Sequence, residues 1–299
     1  MTTDAEEQSM PPSAFEDGDP RRRLLDVLRC PLCGGGLHLS AGALRCGRRH
    51  TFDIARQGYV SLLTGDMRAG TADTGPMVGA REAFLGAGHY APLARAVAGV
   101  ASRWCGTHGT VLDAGAGTGY YLAAVLDAAA ETVGLGLDAS KFALRRAARA
   151  HPRAAAAVWD VWRELPVRSG AADVVLNVFA PRNGSEFRRV LRPEGALVVV
   201  TPTSRHLAEL RGAAGLLEVD ASKEDRLART LDAHFTFEGG GAQELEYRLS
   251  LTAQEAHDLV SMGPSAHHVR PEELAGRIAA MGEAVETTAS FAVAVYRPR

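Results

Sequence analysis

"VLDAGAGTGYY", residues 111–121, is the stretch whose reading decides the fold. An apolar run enters Asp113, and Gly115, Gly117 and Gly119 follow at every second position before apolar residues resume at helical spacing. Glycines in such a turn let the backbone reverse sharply and let a ligand approach it closely. The helix start beyond them can receive a negatively polarised group. The segment therefore reads as strand, ligand-binding turn and helix. A nicotinamide-binding loop is expected as G-x-G-x-x-G around a pyrophosphate. Here the spacing is Asp-x-Gly-x-Gly-x-Gly, and Asp113 suits a ligand with a cationic, amino-acid-like end.

Outward from this loop the chain alternates. A helix over 92–104 precedes the strand "TVLDAG", and the helix "YYLAAVLDAAA", the strand "TVGLGLD", the amphipathic helix "KFALRRAARA" and the strand "AAAAVWD" follow. "ADVVLNVF", a helix near 185–191 and "ALVVVTP" continue the pattern. Strand and helix in turn predict an α/β fold with a parallel, doubly wound sheet. Asp138 ends the second strand, nineteen residues beyond Gly119, where a carboxylate can accept hydrogen bonds from ribose hydroxyls. Asp160 ends the third, where an adenine amino group could lie. A single strand-end Asp is more often a cap than a ligand contact. Three at one sheet edge point to a ligand, because ligands sit outside the carboxyl ends of the strands.

The other concentrated chemistry lies at the front. Three of the four cysteines fall between Cys30 and Cys46 in "LRCPLCGGGLHLSAGALRCGRRHTF", residues 28–52. Cys30-x2-Cys33 and Cys46-x3-His50 supply a Cys3His tetrahedron at zinc-ribbon spacing, and Gly34, Gly35 and Gly36 let the first knuckle turn toward the metal. With four protein ligands the zinc is expected to be structural. Cys105 is expected to pack rather than ligate. From Arg21 to Arg68 there are nine arginines (21, 22, 23, 29, 45, 48, 49, 56 and 68) against Asp26, Asp53 and Asp66. A basic module of this kind suits a polyanion.

These features divide the chain into an acidic, disordered extension (1–20), a zinc-binding module (21–63), a Gly-rich linker (64–91) with a short helix around 77–85, and an α/β domain (92–299). The first twenty residues hold six acids and no Lys or Arg, which argues against a secretory signal. The longest aliphatic stretch, 196–200, is far short of a membrane span. The expectation is a cytoplasmic protein with no membrane partner.

The glycine loop with its three acids resembles a class I S-adenosylmethionine-dependent methyltransferase. The ordered series of the ribbon, "HTFDIARQGYVSLL", "AREAFLGAGHYAPL", "LDAGAGTGYY", "FAPRNGSEFRRVLRPEG" and "TPTSRHLAEL" resembles, over about residues 28–212, the bacterial 23S rRNA guanine-N1-methyltransferases. That family includes the resistance enzymes of tylosin- and mycinamicin-type macrolide producers, and the Ala/Arg/Gly-rich composition inclines toward this branch. The resemblance implies cofactor contacts at Tyr90, Gly117, Thr118 and His206, zinc at Cys30, Cys33, Cys46 and His50, and 23S rRNA as partner. In "NVFAPR", 177–182, Asn177 would hydrogen-bond the target base, Phe179 would stack on it and Arg182 would hold a phosphate. Two copies could clamp one substrate between two fingers. The rival readings are a housekeeping rRNA methyltransferase, a small-molecule methyltransferase, which needs no basic finger, a reductase, which does not fit the loop spacing, and a nonenzymatic RNA binder, which needs no intact loop.

Overall fold

The aliphatic runs form strands and the amphipathic runs pack on them, in a computed structural model that describes residues 15–65, 72–214, 230–239, 242–263 and 271–299. The chain enters through a single 3-10 turn and a short helix α1 (Leu24–Val27). A three-stranded antiparallel ribbon follows: β1 (Leu37–Ser40), β2 (Ala43–Cys46) and β3 (Thr51–Asp53). Then β4 (Val60–Ser61) leaves the ribbon and pairs in parallel with β7 (Ala154–Val158), as an edge strand of the main sheet.

Helices α2 (Gly75–Gly86) and α3 (Ala91–Ala101) lead to β5 (Thr110–Ala114), α4 (Tyr120–Ala128), β6 (Val133–Asp138), α5 (Lys141–Ala147), β7, β8 (Ala172–Val178), α6 (Gly184–Val190) and β9 (Leu191–Pro202). After α7 (Ala208–Ala214) come β10 (Phe235–Phe237), β11 (Gln243–Leu251), α8 (Ala253–Ser261), α9 (Pro271–Ala279) and β12 (Val285–Pro298). Among the described residues the main sheet runs β10-β12-β9-β8-β5-β6-β7-β4, with β11 also on β12. The strands from β4 to β9 are parallel, as the alternation predicts.

Beyond the alternation read in the sequence, the other side of the sheet is antiparallel. β12 runs antiparallel to β9 and carries β10 and β11 antiparallel on its far edge. β10 and β11 fall between β9 and β12 in the chain, so β9 and β12 are not joined by a single β-helix-β crossover, the unit that fixes a parallel pairing. The stretch expected as a linker also differs: α2 buries Met77, Val78, Phe84 and Leu85, and the Thr74 hydroxyl caps it by accepting from the Met77 amide. Of the expected disordered extension, residues 1–14 lie outside the described residues, while Phe15 is buried and Asp19 pairs with Arg21.

Two apolar cores flank the sheet. One combines Leu112, Leu135, Leu137, Ala155 and Ala157 of the strands with Leu24, Leu28, Leu44, Phe52 and the cysteines 30 and 46. The ribbon is thus packed on one face of the α/β sheet. On the other face α3, α4 and α8 bury Leu93, Val97, Leu122, Val125 and Leu259 against Val111, Leu176 and Val198. Chain order reverses at β5, which has β6 on one side and β8 on the other. In a doubly wound sheet a crevice opens at such a switch point, outside the carboxyl ends of the strands. Asp113 of β5 and Asn177 of β8 lie near the carboxyl ends of their strands.

Candidate functional site

The glycine loop is held in place from behind. The amides of Gly115 and Ala116 both donate to the Leu137 carbonyl of β6, at 2.8 and 3.0 Å. Gly115 has φ +91°, and a Cβ there would stand 2.4 Å from the Cβ of Ala180. Gly119 has φ +80°, caps α4 and would meet Ala147 of α5 at 2.9 Å. Both positions therefore demand glycine for conformation and for close packing. Gly117 is different: its φ is +53° and its open side faces Arg81, whose guanidinium would lie 3.4 Å from a Cβ. Thr118 is half-buried beside it.

Asp113 and Asp138 come together beneath this loop. Asp138 accepts from the Gly117 amide at 2.9 Å and from the Ser140 amide at 2.8 Å, so its carboxylate sets the loop. Asp113 is 2% exposed and its Oδ1 has no hydrogen-bond partner among the described residues. Burial, reinforced by the Asp138 charge, pushes its carboxyl up to about 8. A buried carboxyl oxygen without a donor calls for one, and an ammonium group of a bound ligand fits that need. Asp160 lies two residues past the end of β7, where it accepts from the Trp162 amide at 3.0 Å and faces Arg163 at 3.6 Å.

Tyr90 and His206 are brought together although 116 residues separate them. The His206 Nδ1 lies 3.3 Å from the Ser290 amide, which can only donate. The imidazole hydrogen therefore resides on Nε2, which donates to the Tyr90 hydroxyl at 3.3 Å. Burial, with the Arg211 charge, lowers the His206 pKa to about 3, so the ring is neutral at pH 7. The Tyr90 hydroxyl keeps its own hydrogen to donate onward. Tyr90 is buried at the start of α3 and packs edge-on against Phe84 and Phe291.

The "NVFAPR" segment gives a mixed result. Phe179 follows β8 with φ +53°, is 45% exposed, and stands 6.3 Å from Tyr121 and 5.6 Å from Phe291. A bulky residue in the left-handed region is uncommon, and such strain gathers at ligand sites. Asn177, expected at the target base, is fully buried: its amide nitrogen donates to the carbonyls of Pro181 at 2.8 Å and Ala114 at 3.4 Å, while its Oδ1 has no hydrogen-bond partner among the described residues. It ties the Phe179 turn to β5. Arg182 is buried as well, near Tyr296.

The metal ligands converge as spaced. Donor atoms of Cys30, Cys33, Cys46 and His50 all lie within 4.8 Å of one another. The Cys33 and Cys46 sulfurs are 3.7 Å apart, and the His50 Nδ1 is 3.4 and 3.3 Å from those of Cys30 and Cys46. A tetrahedral zinc with Zn–S of about 2.3 Å and Zn–N of about 2.0–2.1 Å requires edges of about 3.8 and 3.5 Å, so the ligand set fits zinc. Cys105 stands apart, with its thiol donating to the Ala101 carbonyl. Of the nine arginines of the basic module, Arg21 and Arg22 pair with Asp19 and Asp17, Arg23 reaches the carbonyls of His108 and Glu131, and Arg29 pairs with Glu164. Arg45, Arg48, Arg49 and Arg56 are exposed and form no ion pair among the described residues, which do not include Arg68.

Two site residues escaped the sequence reading. Arg81 pairs with Asp73 and donates to the Met262 carbonyl at 2.8 Å while standing over Gly117. Its signal was the "AREAFL" helix, assigned to a linker. Ser290 orients His206 through a backbone amide, which no side-chain pattern can reveal.

Comparison with known proteins agrees with this layout. Residues 28–66 match the zinc-ribbon family described as RlmA, N-terminal, and residues 111–195 match a methyltransferase domain. The chain is 51% identical over 280 residues to the 23S rRNA (guanine(748)-N(1))-methyltransferase of Streptomyces fradiae, across 93% of this chain and 99% of that protein. It is 53% identical over 293 residues to a Micromonospora griseorubida protein named for 23S rRNA guanine-N1 methylation, across 92% and 98%. A Bacillus subtilis protein named for the same reaction is 34% identical over 250 residues, across 80% and 86%.

Proposed function

Since the chain belongs to the 23S rRNA (guanine-N1-)-methyltransferase family, enzymes that use S-adenosylmethionine and carry a zinc ribbon, we propose that it methylates N1 of one guanine in an exposed loop of 23S rRNA in the cytoplasm. The observation that carries this reading is that the likeness to the Streptomyces fradiae enzyme spans ribbon and catalytic domain together.

S-adenosylmethionine supplies a methyl group on a sulfonium, which passes to N1 as the N1 proton leaves. N1 lies on the Watson–Crick edge, so the base must leave its stack and enter the crevice. The chain's own residues bind and orient. Asp113 receives the ammonium end, Gly115, Gly117, Thr118 and Gly119 line the approach, and the Tyr90 hydroxyl, oriented by His206, donates a hydrogen bond. Asp138 and Asp160 face the ribose and adenine. Phe179 is the stacking surface for the guanine and Asn177 positions it. His206 is not the base for N1, because both its nitrogens are engaged.

The proposal extends to macrolide resistance, since a methylated guanine in the exit tunnel can obstruct a tylosin-type drug, and to a homodimer that clamps one rRNA loop. The test incubates the protein with labelled cofactor and deproteinised 23S rRNA, then maps reverse-transcriptase stops. One enzyme-dependent stop at a guanine, with N1-methylguanosine in the digest, is expected. Label confined to protein or small metabolites would overturn the reading. Light scattering and drug susceptibility of a host expressing the protein check the dimer and the resistance.

A further inference from the structure

A groove of about 1240 Å3 crosses the outer surface of α3, α4 and α5, and Thr118 of the glycine loop joins its lining at one end. Its lining includes Arg95 of α3, Tyr120 of α4 and Arg145, Arg146 and Arg149 at α5, with Gln57 contributed from the β3–β4 loop of the ribbon. Two acids share it against four arginines: Glu82 lies 3.1 Å from Arg146, and Asp127 lies 3.3 Å from His151, whose pKa burial lowers, so Asp127 keeps its charge. Arg95, Arg145 and Arg149 form no ion pair among the described residues. The Arg145 guanidinium stacks over Phe142 at 5.4 Å and leaves its buried Nε without an acceptor. Unneutralised guanidinium groups along one groove repel each other, and an anion with regularly spaced charges relieves that repulsion.

The groove is continuous with both functional regions. At one end Gly58, in the loop that follows the ribbon, lies against Ala148, 3.6 Å from where its Cβ would be, so this loop adjoins the end of α5. At the other end Tyr120 meets Tyr121 edge-on at 5.2 Å, and Tyr121 in turn faces Phe179 at 6.3 Å. The positive surface therefore leads from the ribbon across the helices to the edge of the crevice.

We infer that this groove is the track for the RNA backbone: Arg95, Arg145 and Arg149 hold phosphates of the strand that runs from the zinc ribbon to the target base. The inference rests on the rRNA-methyltransferase reading and adds where the polynucleotide lies. Phosphate contacts supply affinity and position without reading sequence, so removing them weakens binding uniformly and flattens its dependence on salt.

The test compares the wild-type protein with Arg95→Ala/Arg145→Ala/Arg149→Ala and with Arg103→Ala, an exposed arginine outside the groove, as control. Binding of deproteinised 23S rRNA is measured from low to moderate salt, and cofactor binding by calorimetry. The triple variant is expected to lose at least tenfold in rRNA affinity and to show a log–log salt slope shallower by about 2, at about 0.7 per single-strand phosphate contact. Its cofactor affinity and melting temperature should match wild type, and Arg103→Ala should bind rRNA normally. If wild type methylates the rRNA and the triple variant keeps its affinity and slope, the groove is not the track. A triple variant that changes only its oligomeric mass, with rRNA binding intact, would make the groove a contact between copies and equally overturn the inference. If wild type places no label in rRNA, the underlying function fails instead.

Discussion

Asp113 is the residue on which burial and binding pull in opposite directions. Its carboxyl, raised from 3.8 to about 8, binds more protons in the folded than in the unfolded chain, so stability falls as pH rises through that window. His206, held near 3, acts in the opposite sense and weakens the fold as pH drops below about 6.5. Above pH 6.5 the His206 contribution is complete, and between 6.5 and 8 the Asp113 contribution is still being lost. Melting the cofactor-free protein across that interval should show a decline that Asp113→Asn removes, while the same variant binds S-adenosylmethionine at least tenfold more weakly. Parallel declines in both proteins would acquit Asp113. Gly115→Ala is a separate case. With φ +91° and Ala180 at 2.4 Å, it combines a left-handed backbone with a steric overlap, and should cost about 2–5 kcal/mol. Thermal denaturation reads that loss directly.

At the scale of elements, α2 changed meaning once the chain was folded. In sequence it is a short apolar patch in a Gly-rich stretch, with nothing to separate a connector from a packed helix. In the fold it is capped by Thr74, packs beside α8 and places Arg81 over Gly117. Arg81→Met keeps the aliphatic stem but removes the guanidinium that joins Asp73, the Met262 carbonyl and the loop. The expected result is about a tenfold loss of cofactor affinity by calorimetry, the size of one charge-assisted hydrogen bond, with α-helical content unchanged. Unaltered affinity would show that Arg81 only braces α2. β4 shows the same dependence on context. Its pairing partner β7 lies more than ninety residues ahead, so two residues of strand carry no readable signal alone.

For the whole molecule, the ribbon and the α/β sheet share one apolar core, in which Leu44, Phe52, Cys30 and Cys46 pack with Leu112, Leu135 and Ala155. A finger on a flexible tether would unfold by itself when zinc is removed. Here the loss should propagate, since metal binding is folding free energy for the ribbon and the ribbon covers one face of the sheet. Chelation should lower a single calorimetric transition by about 10 °C. Two separate transitions, the second unmoved, would show that the modules fold independently.

The ligand chemistry was legible in the linear chain because it is local. Cys30, Cys33, Cys46 and His50 carry their spacing within one ribbon, and Asp113 and the three glycines carry theirs within one turn, so backbone geometry alone brings the donors together. The parallel half of the sheet was legible for the same reason, since β5, β6 and β8 are each followed by a helix that returns the chain. What depended on tertiary structure was every relation between distant segments: the antiparallel β12, the meeting of Tyr90 with His206, the burial of Asn177 and Arg182, and the division of arginines into paired and free. Charge and polarity are written at each position, but whether a side chain meets solvent, a carbonyl or a second ring is set by packing from elsewhere in the chain.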